Sequence, residues 1–165
     1  MRISLIVAKG ANDAIGFKGQ LPWNCPEDWN YFLAKTKDFP VIMGTRVYSA
    51  LPKGDFNGYT KLVLSKRKDF NIQDGNVFAN LPAALAFARK QGYPHIFIIG
   101  GEGPYREGLE IADDLYITYM YSLFDADTYF PPIDYRQWQI AEKGPVIQNL
   151  EVPFPYQFTW WTRKK

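Results

Sequence analysis

Apolar residues in this chain gather in short, almost unbroken runs. Residues 3–8, 41–43, 61–65, 77–79, 96–99 and 115–120 are six such runs, each bounded by glycine, proline or polar positions. Runs this short and this apolar read as strands buried on both faces. Between several of them the period becomes helical. Helices are predicted over 26–36, 45–51 and 82–91, and for about eight residues from Pro104. Pro26 suits a first helical position, where its missing N–H would have had no partner. Asn80 is a good cap for the third helix and Gly92 a good stop. The later stretches 137–143 and 156–163 alternate apolar or aromatic with polar residues, which predicts antiparallel strands with one wetter face. Residues 145–155, with three prolines, read as a surface loop.

Strands alternating with helices predict an α/β fold. The expected architecture is one domain over 1–165, with a mostly parallel central sheet, helices on both faces and an antiparallel edge near the C-terminus. No internal repeat, low-complexity tract or linker interrupts it.

Composition narrows the class. The 165 residues and 47% hydrophobic content suit a single core, and an aromatic content of 17% allows an aromatic-lined pocket. A net charge of +2 gives no electrostatic footprint for nucleic acid. The apolar segment 3–8 is too short for a membrane span or a signal sequence. Cys25 is the only cysteine, so no internal disulfide forms and a reducing, cytoplasmic setting is expected. With one histidine and one cysteine, no zinc site is expected. Cys25 and His95 both read as structural.

In an open α/β sheet, ligands bind at the carboxyl ends of the strands. Three features fall there: Gly44-Thr45-Arg46, Ser65-Lys66-Arg67 and Gly100-Gly101-Glu102-Gly103. Glycines before a helix start let backbone N–H groups approach a phosphate, and the basic pair adds charge. A glycine after a strand is often only a turn, and a basic cluster often only a solvated face. The first strand-to-helix turn has no G-x-G-x-x-G, so an ordinary Rossmann fingerprint is absent. Asp28 stands in the first turn of a predicted helix among Trp23, Trp29, Tyr31 and Phe32. A first-turn acid ordinarily just complements the helix dipole. A carboxylate among rings can instead face something that needs it, since desolvating an unpaired charge is costly.

Four ordered segments carry a resemblance: I-G-F-K-G-Q-L-P-W-N-C-P-E-D from Ile15 to Asp28, P-V-I-M-G from Pro40, I-I-G-G from Ile98, and L-Y-I-T with D-A-D-T-Y-F-P between Leu115 and Pro131. Together they resemble bacterial dihydrofolate reductases. The resemblance implies an eight-stranded sheet and NADPH-dependent reduction of dihydrofolate, with hydride passing to C6 and a proton to N5 of the dihydropterin. It makes Asp28 the acid that holds the pterin, Thr118 its hydroxyl partner, Trp23 a residue linked to the site through water, and Leu21 part of the catalytic lid. The substrate walls become Ile6, Ala8, Trp29, Phe32, Leu51, Phe56, Ile99 and Tyr105. The cofactor residues become Ala8, Ile15, Gly19, Gly44, Thr45, Arg46, Val47, Leu64, Ser65, Lys66, Arg67, Ile99, Gly100, Gly101, Glu102, Gly103 and Tyr105. Ala8 and Ile99 are expected to offer backbone carbonyls. The resemblance further implies a mobile lid over 9–24, an acid, Asp127, that touches it, and a cis peptide between Gly100 and Gly101. It implies a monomer whose partners are small molecules, without nucleic acid or membrane.

Three departures from the family pattern stand out. Tyr59 occupies the place of an arginine that pairs with the glutamate tail of folate, and a tyrosine cannot make that bidentate pair. Lys53 and Lys61 are the nearest possible substitutes. The arginine usual after Gly44 lies one place later, at Arg46, which turns its side chain by about 100° around a helix. Glu102 stands near the expected phosphates. These departures leave open a tail-less dihydropterin, or a pyrimidine of the flavin pathway, as substrate on the same fold. A non-catalytic nucleotide-binding protein is a more distant alternative, since it gives Asp28 no purpose.

Overall fold

The apolar runs become the strands of one sheet. A computed structural model describes residues 1–165. Its elements are β1 (Arg2–Gly10), β2 (Ala14–Gly16), α1 (Pro26–Thr36), β3 (Val41–Gly44), α2 (Thr45–Ala50), β4 (Lys61–Leu64), β5 (Gly75–Phe78), α3 (Leu81–Lys90), β6 (His95–Ile98), α4 (Glu102–Ile111), β7 (Asp114–Met120), β8 (Thr128–Tyr129), β9 (Trp138–Lys143), β10 (Ile147–Asn149) and β11 (Val152–Arg163).

Across the sheet the order is β10-β11-β7-β1-β6-β3-β4-β5, and β9 joins β11 as well. From β7 to β5 every neighbouring pair is parallel. β11 runs antiparallel to β7, to β9 and to β10. β9 pairs with residues 159–163 of β11 and β10 with residues 152–156. The two therefore share one edge position, and nine strands make a sheet eight positions wide. That is the predicted α/β architecture with its antiparallel C-terminal edge.

Some boundaries differ from the expectation. The loop expected at 145–155 contains β10 and the start of β11 instead. Proline ends a strand by removing a donor, but its carbonyl still accepts: the Tyr121 N–H bonds the Pro155 carbonyl at 2.9 Å. α4 begins at Glu102 rather than Pro104, because the first-turn N–H groups of a helix have no intrahelical partner to lose. β2 and β8 were not expected. They are two or three residues each and exist by pairing with one another over a long sequence separation. The predicted cap works as expected, with Asn80 Oδ1 accepting from the Ala83 N–H at 2.9 Å.

Helices cover both faces. α3 and α4 bury Leu81, Ala84, Leu85, Ala88 and Tyr105 against Leu5, Ile42, Leu62 and Ile98. Gly108 lets α4 lie this close, since a Cβ there would come within 2.9 Å of the Leu5 and Ile98 side chains. On the other face, Trp29, Phe32 and Val47 from α1 and α2 pack on Val41, Met43, Val63 and Phe97. No helix is long and apolar enough to cross a membrane.

One feature of the register positions the site. β1 and β6 pair only from Arg2 opposite His95 to Leu5 opposite Ile98. Beyond that point β1 continues along β7 as far as Gly10 opposite Met120. The chain after β6 instead follows β3, with Ile99 N–H bonded to the Ile42 carbonyl and Gly44 N–H to the Gly100 carbonyl, both at 2.9 Å. The sheet thus parts between β1 and β6 at its carboxyl edge. A split where the winding direction reverses is the usual ligand crevice of this architecture.

Candidate active site

The parted strands open into a cleft of about 1210 Å³. The ends of β1, β3, β4, β6 and β7, the loop after β2, and the faces of α1, α2 and α4 form its walls. Tyr105 closes its base. Its buried hydroxyl lies 2.8 Å from both the Ile6 and the Ile99 carbonyls, two acceptors that lose ladder partners where the sheet splits. One hydroxyl proton serves two carbonyls, and burial holds this phenol firmly protonated, well above its usual range. The Ile99 carbonyl, expected to face a cofactor, therefore already takes a protein donor.

Asp28 lies in the first turn of α1 and is only 8% exposed. Burial pushes its carboxyl up from 3.8 to about 6, the Thr118 hydroxyl opposes that shift, and neighbouring Glu27 adds to it. Thr118 is buried on β7 directly beside Ala8 of β1. None of the six ion pairs in the chain includes Asp28. Trp23, also on the cleft wall, has a buried indole N–H with no protein partner. Trp23 stacks edge-on against Phe124 at 4.8 Å, which fixes its ring. α1 buries only Asp28 and Thr36 fully, while Trp29, Tyr31 and Phe32 stay half-buried along the cleft. An apolar helix face left partly uncovered over a cleft is a surface for a flat apolar ligand.

At the other end the wall is glycine-rich. Gly44, Gly100, Gly101 and Gly103 line it with Thr45, Arg46, Val47, Glu102, Leu64, Ser65 and Lys66. The Gly100–Gly101 peptide is cis, as the resemblance implied. Gly100 has φ of +127°, a conformation open to glycine, and a Cβ there would sit 3.3 Å from Tyr105. Glu102 is held 3.1 Å from Arg106 on its own helix, which draws its charge along α4.

The loop between β1 and α1 is folded over this crevice, and Ile15, Gly19 and Leu21 reach its wall. β2 pairs with β8, and Asp127 ties the two segments: its carboxylate accepts from the Lys18 N–H at 2.9 Å and its own N–H bonds the Gly16 carbonyl at 3.0 Å. The Lys18 N–H and the Thr128 hydroxyl draw the Asp127 carboxyl below its ordinary range.

Nearly all the sequence-derived residues meet in this cleft, including Ile6, Ala8, Leu51 and Ile99. Two do not. Phe56 is fully buried beneath Trp29 and Phe32 and supports the wall from behind. Arg67 turns toward Asp69, at 3.4 Å, outside the cleft. Gln20 and Thr128 line the cleft without having been singled out, and so does Asn80, which was expected only as a helix cap. Asn80 follows the carboxyl end of β5, so the strand-end rule applied to every strand finds it. Tyr59 is outside the cleft as well. Its hydroxyl donates to the Leu33 carbonyl at 3.1 Å and lies 3.0 Å from Thr36 Oγ1, so it stitches the end of α1. Lys61 is buried and paired with Asp74 at 3.1 Å. Cys25 is buried and its thiol is pushed up by desolvation, so it carries little thiolate.

A family model described as dihydrofolate reductase matches residues 2–163. The chain belongs to the dihydrofolate reductase family. Curated relatives of that name include one from Neisseria meningitidis serogroup A, 35% identical over 143 residues that make up 87% of each chain. Another, from Staphylococcus aureus strain Mu50, is 27% identical over 165 residues and all of both chains. Among solved structures, the dihydrofolate reductase of Enterococcus faecalis complexed with NADP(H) and RAB-propyl superposes with a TM-score of 0.88 at 25% identity, covering 99% of this chain and 97% of that one. The chain is thus similar along its whole length to enzymes of the dihydrofolate reductase family.

Proposed function

We propose that this chain reduces 7,8-dihydrofolate to 5,6,7,8-tetrahydrofolate with NADPH, hydride passing to C6 and a proton to N5. The observation that carries the reading is Asp28, a buried carboxylate without a cationic partner at the bottom of an aromatic cleft. A pterin presents a 2-amino group and a ring N–H side by side, and two parallel bonds to one carboxylate both orient the ring and satisfy the charge. A group that titrates near 6 can hold a proton close to working pH. The free Trp23 N–H gives a water a fixed place on the wall of the same cleft. Thr118 keeps the carboxylate in position.

The opposite end fits NADPH. The glycine-lined wall leaves room for a backbone-hugging pyrophosphate, and Arg46, Ser65 and Lys66 supply donors for phosphates. Bound NADPH would supply the hydride. The Enterococcus relative that superposes on this chain carries NADP(H), which favours the same choice here. The loop held by Asp127 would exclude water from the reacting carbons. A monomer in the cytoplasm, acting on small molecules alone as one domain over 1–165, completes the reading, and the unpaired thiol of Cys25 is in keeping with it.

The test is NADPH oxidation by the purified protein with dihydrofolate, for the wild type and Asp28→Asn. Loss of about 10²- to 10⁴-fold in turnover is expected from removing the acid. Undiminished turnover would refute the role of Asp28. A second reading has one specific observation behind it: Tyr59, standing where a tail-binding arginine is usual, already has its hydroxyl engaged by α1. It favours a tail-less dihydropterin. Turnover of that compound equal to or better than dihydrofolate would establish it.

A further inference from the structure

One hydrogen bond links the cleft wall beyond Asp28 to the segment that follows α2. The Trp29 indole N–H, on α1, donates to Asp55 Oδ2 at 2.9 Å, on the segment that follows α2. Asp28 fixes where a ligand ring sits. From there the cleft runs outward between two walls. One is α1, where Phe32 lies one turn beyond Asp28 on the same face; the other is Leu51 and Pro52. The strand ends and the glycine-rich residues make up the rest of the lining. A substituent that leaves a ring seated at Asp28 between these two walls passes the Trp29–Asp55 bond, which joins α1 to the segment after α2.

The bridge is well braced. Trp29 packs on Phe32 at 5.3 Å and edge-on to Phe56 at 5.9 Å, and Phe56 packs on Tyr59 at 4.7 Å. Asp55 is exposed, as is Lys53 two residues earlier on the same segment. No ion pair neutralises Asp55. The two basic residues on the cleft wall, Arg46 and Lys66, follow β3 and β4 at the glycine-rich end.

We propose that Asp55, fixed beside the cleft by Trp29, is a specificity-determining residue that weakens the binding of an anionic tail relative to a small uncharged substituent. The inference rests on the pterin reading above. A glutamate tail brings two carboxylates past a fixed negative charge and must break or bypass the bond that holds it. A small neutral substituent does neither.

The test measures equilibrium binding to the full chain by tryptophan fluorescence, with folate and the tail-less 6-methylpterin as probes, so that it does not depend on turnover. In Asp55→Asn, folate is expected to bind about two- to five-fold more tightly, the range of an exposed charge pair, with 6-methylpterin unchanged. In Asp55→Ala, which also removes the bond to Trp29, the gain for folate is expected to reach about ten-fold. Raising salt should tighten folate binding to the wild type and not to Asp55→Asn, since only the wild type has a repulsion to screen. Unchanged folate affinity in both variants, or an equal shift for the two probes, overturns the proposal. If neither probe binds the wild type, the pterin reading itself fails and this inference falls with it.

Discussion

Asp28 and Asp114 are both buried carboxylates, placed toward opposite ends of the same strands. Asp114 opens β7 and is fully inaccessible. It accepts from Arg2 Nε at 2.5 Å and Nη2 at 2.6 Å, from the Ser4 hydroxyl at 3.0 Å and from the Trp160 indole at 2.9 Å. His95 Nε2 lies 2.7 Å from that same serine oxygen. Every lone pair of this carboxylate has a donor, and the Arg2 guanidinium is held above its ordinary range by it. Asp28 has the Thr118 hydroxyl and no cation, and its carboxyl titrates near 6. The same fold thus satisfies one buried acid completely and starves another. The starved one faces the cleft, where a ligand can supply what the protein withholds. The satisfied one binds three strands, since Arg2 and Ser4 lie on β1, Asp114 on β7 and Trp160 on β11.

Removing the satisfied acid is expected to cause the largest loss of stability. Asp114→Ala leaves a buried serine and an indole without their acceptor, while the half-exposed Arg2 guanidinium can turn to water, and such a loss costs about 2–3 kcal/mol. Urea unfolding at neutral pH should show that loss, while the Michaelis constant and turnover of molecules that remain folded stay close to wild type. A loss below about 1 kcal/mol would mean that the network is ornamental, and the contrast with Asp28 would collapse.

Removing the starved acid should do the opposite. Asp28 has its pKa raised from 3.8 to about 6 by folding. Below its unfolded value the group is protonated in both states and has no effect. As pH rises from about 4 to about 6 the unfolded chain releases the proton while the folded chain keeps it, so stability falls across that window and then levels off. The shift corresponds to about 3 kcal/mol. Asp28→Asn should therefore be more stable than wild type by up to that amount at pH 7 and equal to it only near pH 3, below both values, while turning over poorly. An Asn variant less stable at pH 7 would show that Asp28 is satisfied after all.

How much of this was legible beforehand follows from the same contrast. The sheet was readable because parallel strands are apolar on both faces, so 96–99 and 115–120 announce themselves. β2 and β8 were not, since strands of two or three residues are created by a partner more than a hundred positions away. Asp28 was legible as an acid among rings, and the motif around it supplied its meaning. Asp114 gave no signal. Its donors come from Arg2, Ser4 and Trp160, which no local pattern connects. Phe56 and Arg67 were expected in the cleft on motif position alone. Position along a chain fixes which element a residue joins, but side-chain direction depends on packing: Phe56 turned into an aromatic cluster and Arg67 toward Asp69. Tyr59 was readable as a missing arginine, whereas its hydroxyl bonds to α1 were not.

The smallest expected effect sharpens the comparison most, because it changes the number of donors without touching the acid. Thr118→Val keeps the shape of β7 and removes the hydroxyl that stabilises the ionised form of Asp28. The carboxyl then loses the one contribution that lowers its pKa, and its titration should move upward from about 6 by an amount worth about 1 kcal/mol, the typical net value of a single hydrogen bond. Read as the pH profile of turnover, the decline on the alkaline side should shift to higher pH while the profile keeps its shape. Stability at pH 7 should fall by a similar amount, and not at pH 4, where the folded chain keeps the acid protonated with or without the hydroxyl. A shift toward lower pH would mean that Thr118 donates its proton elsewhere and accepts one from a protonated Asp28. The hydroxyl would then favour the neutral acid, and the starved carboxylate would be more starved than its geometry suggests.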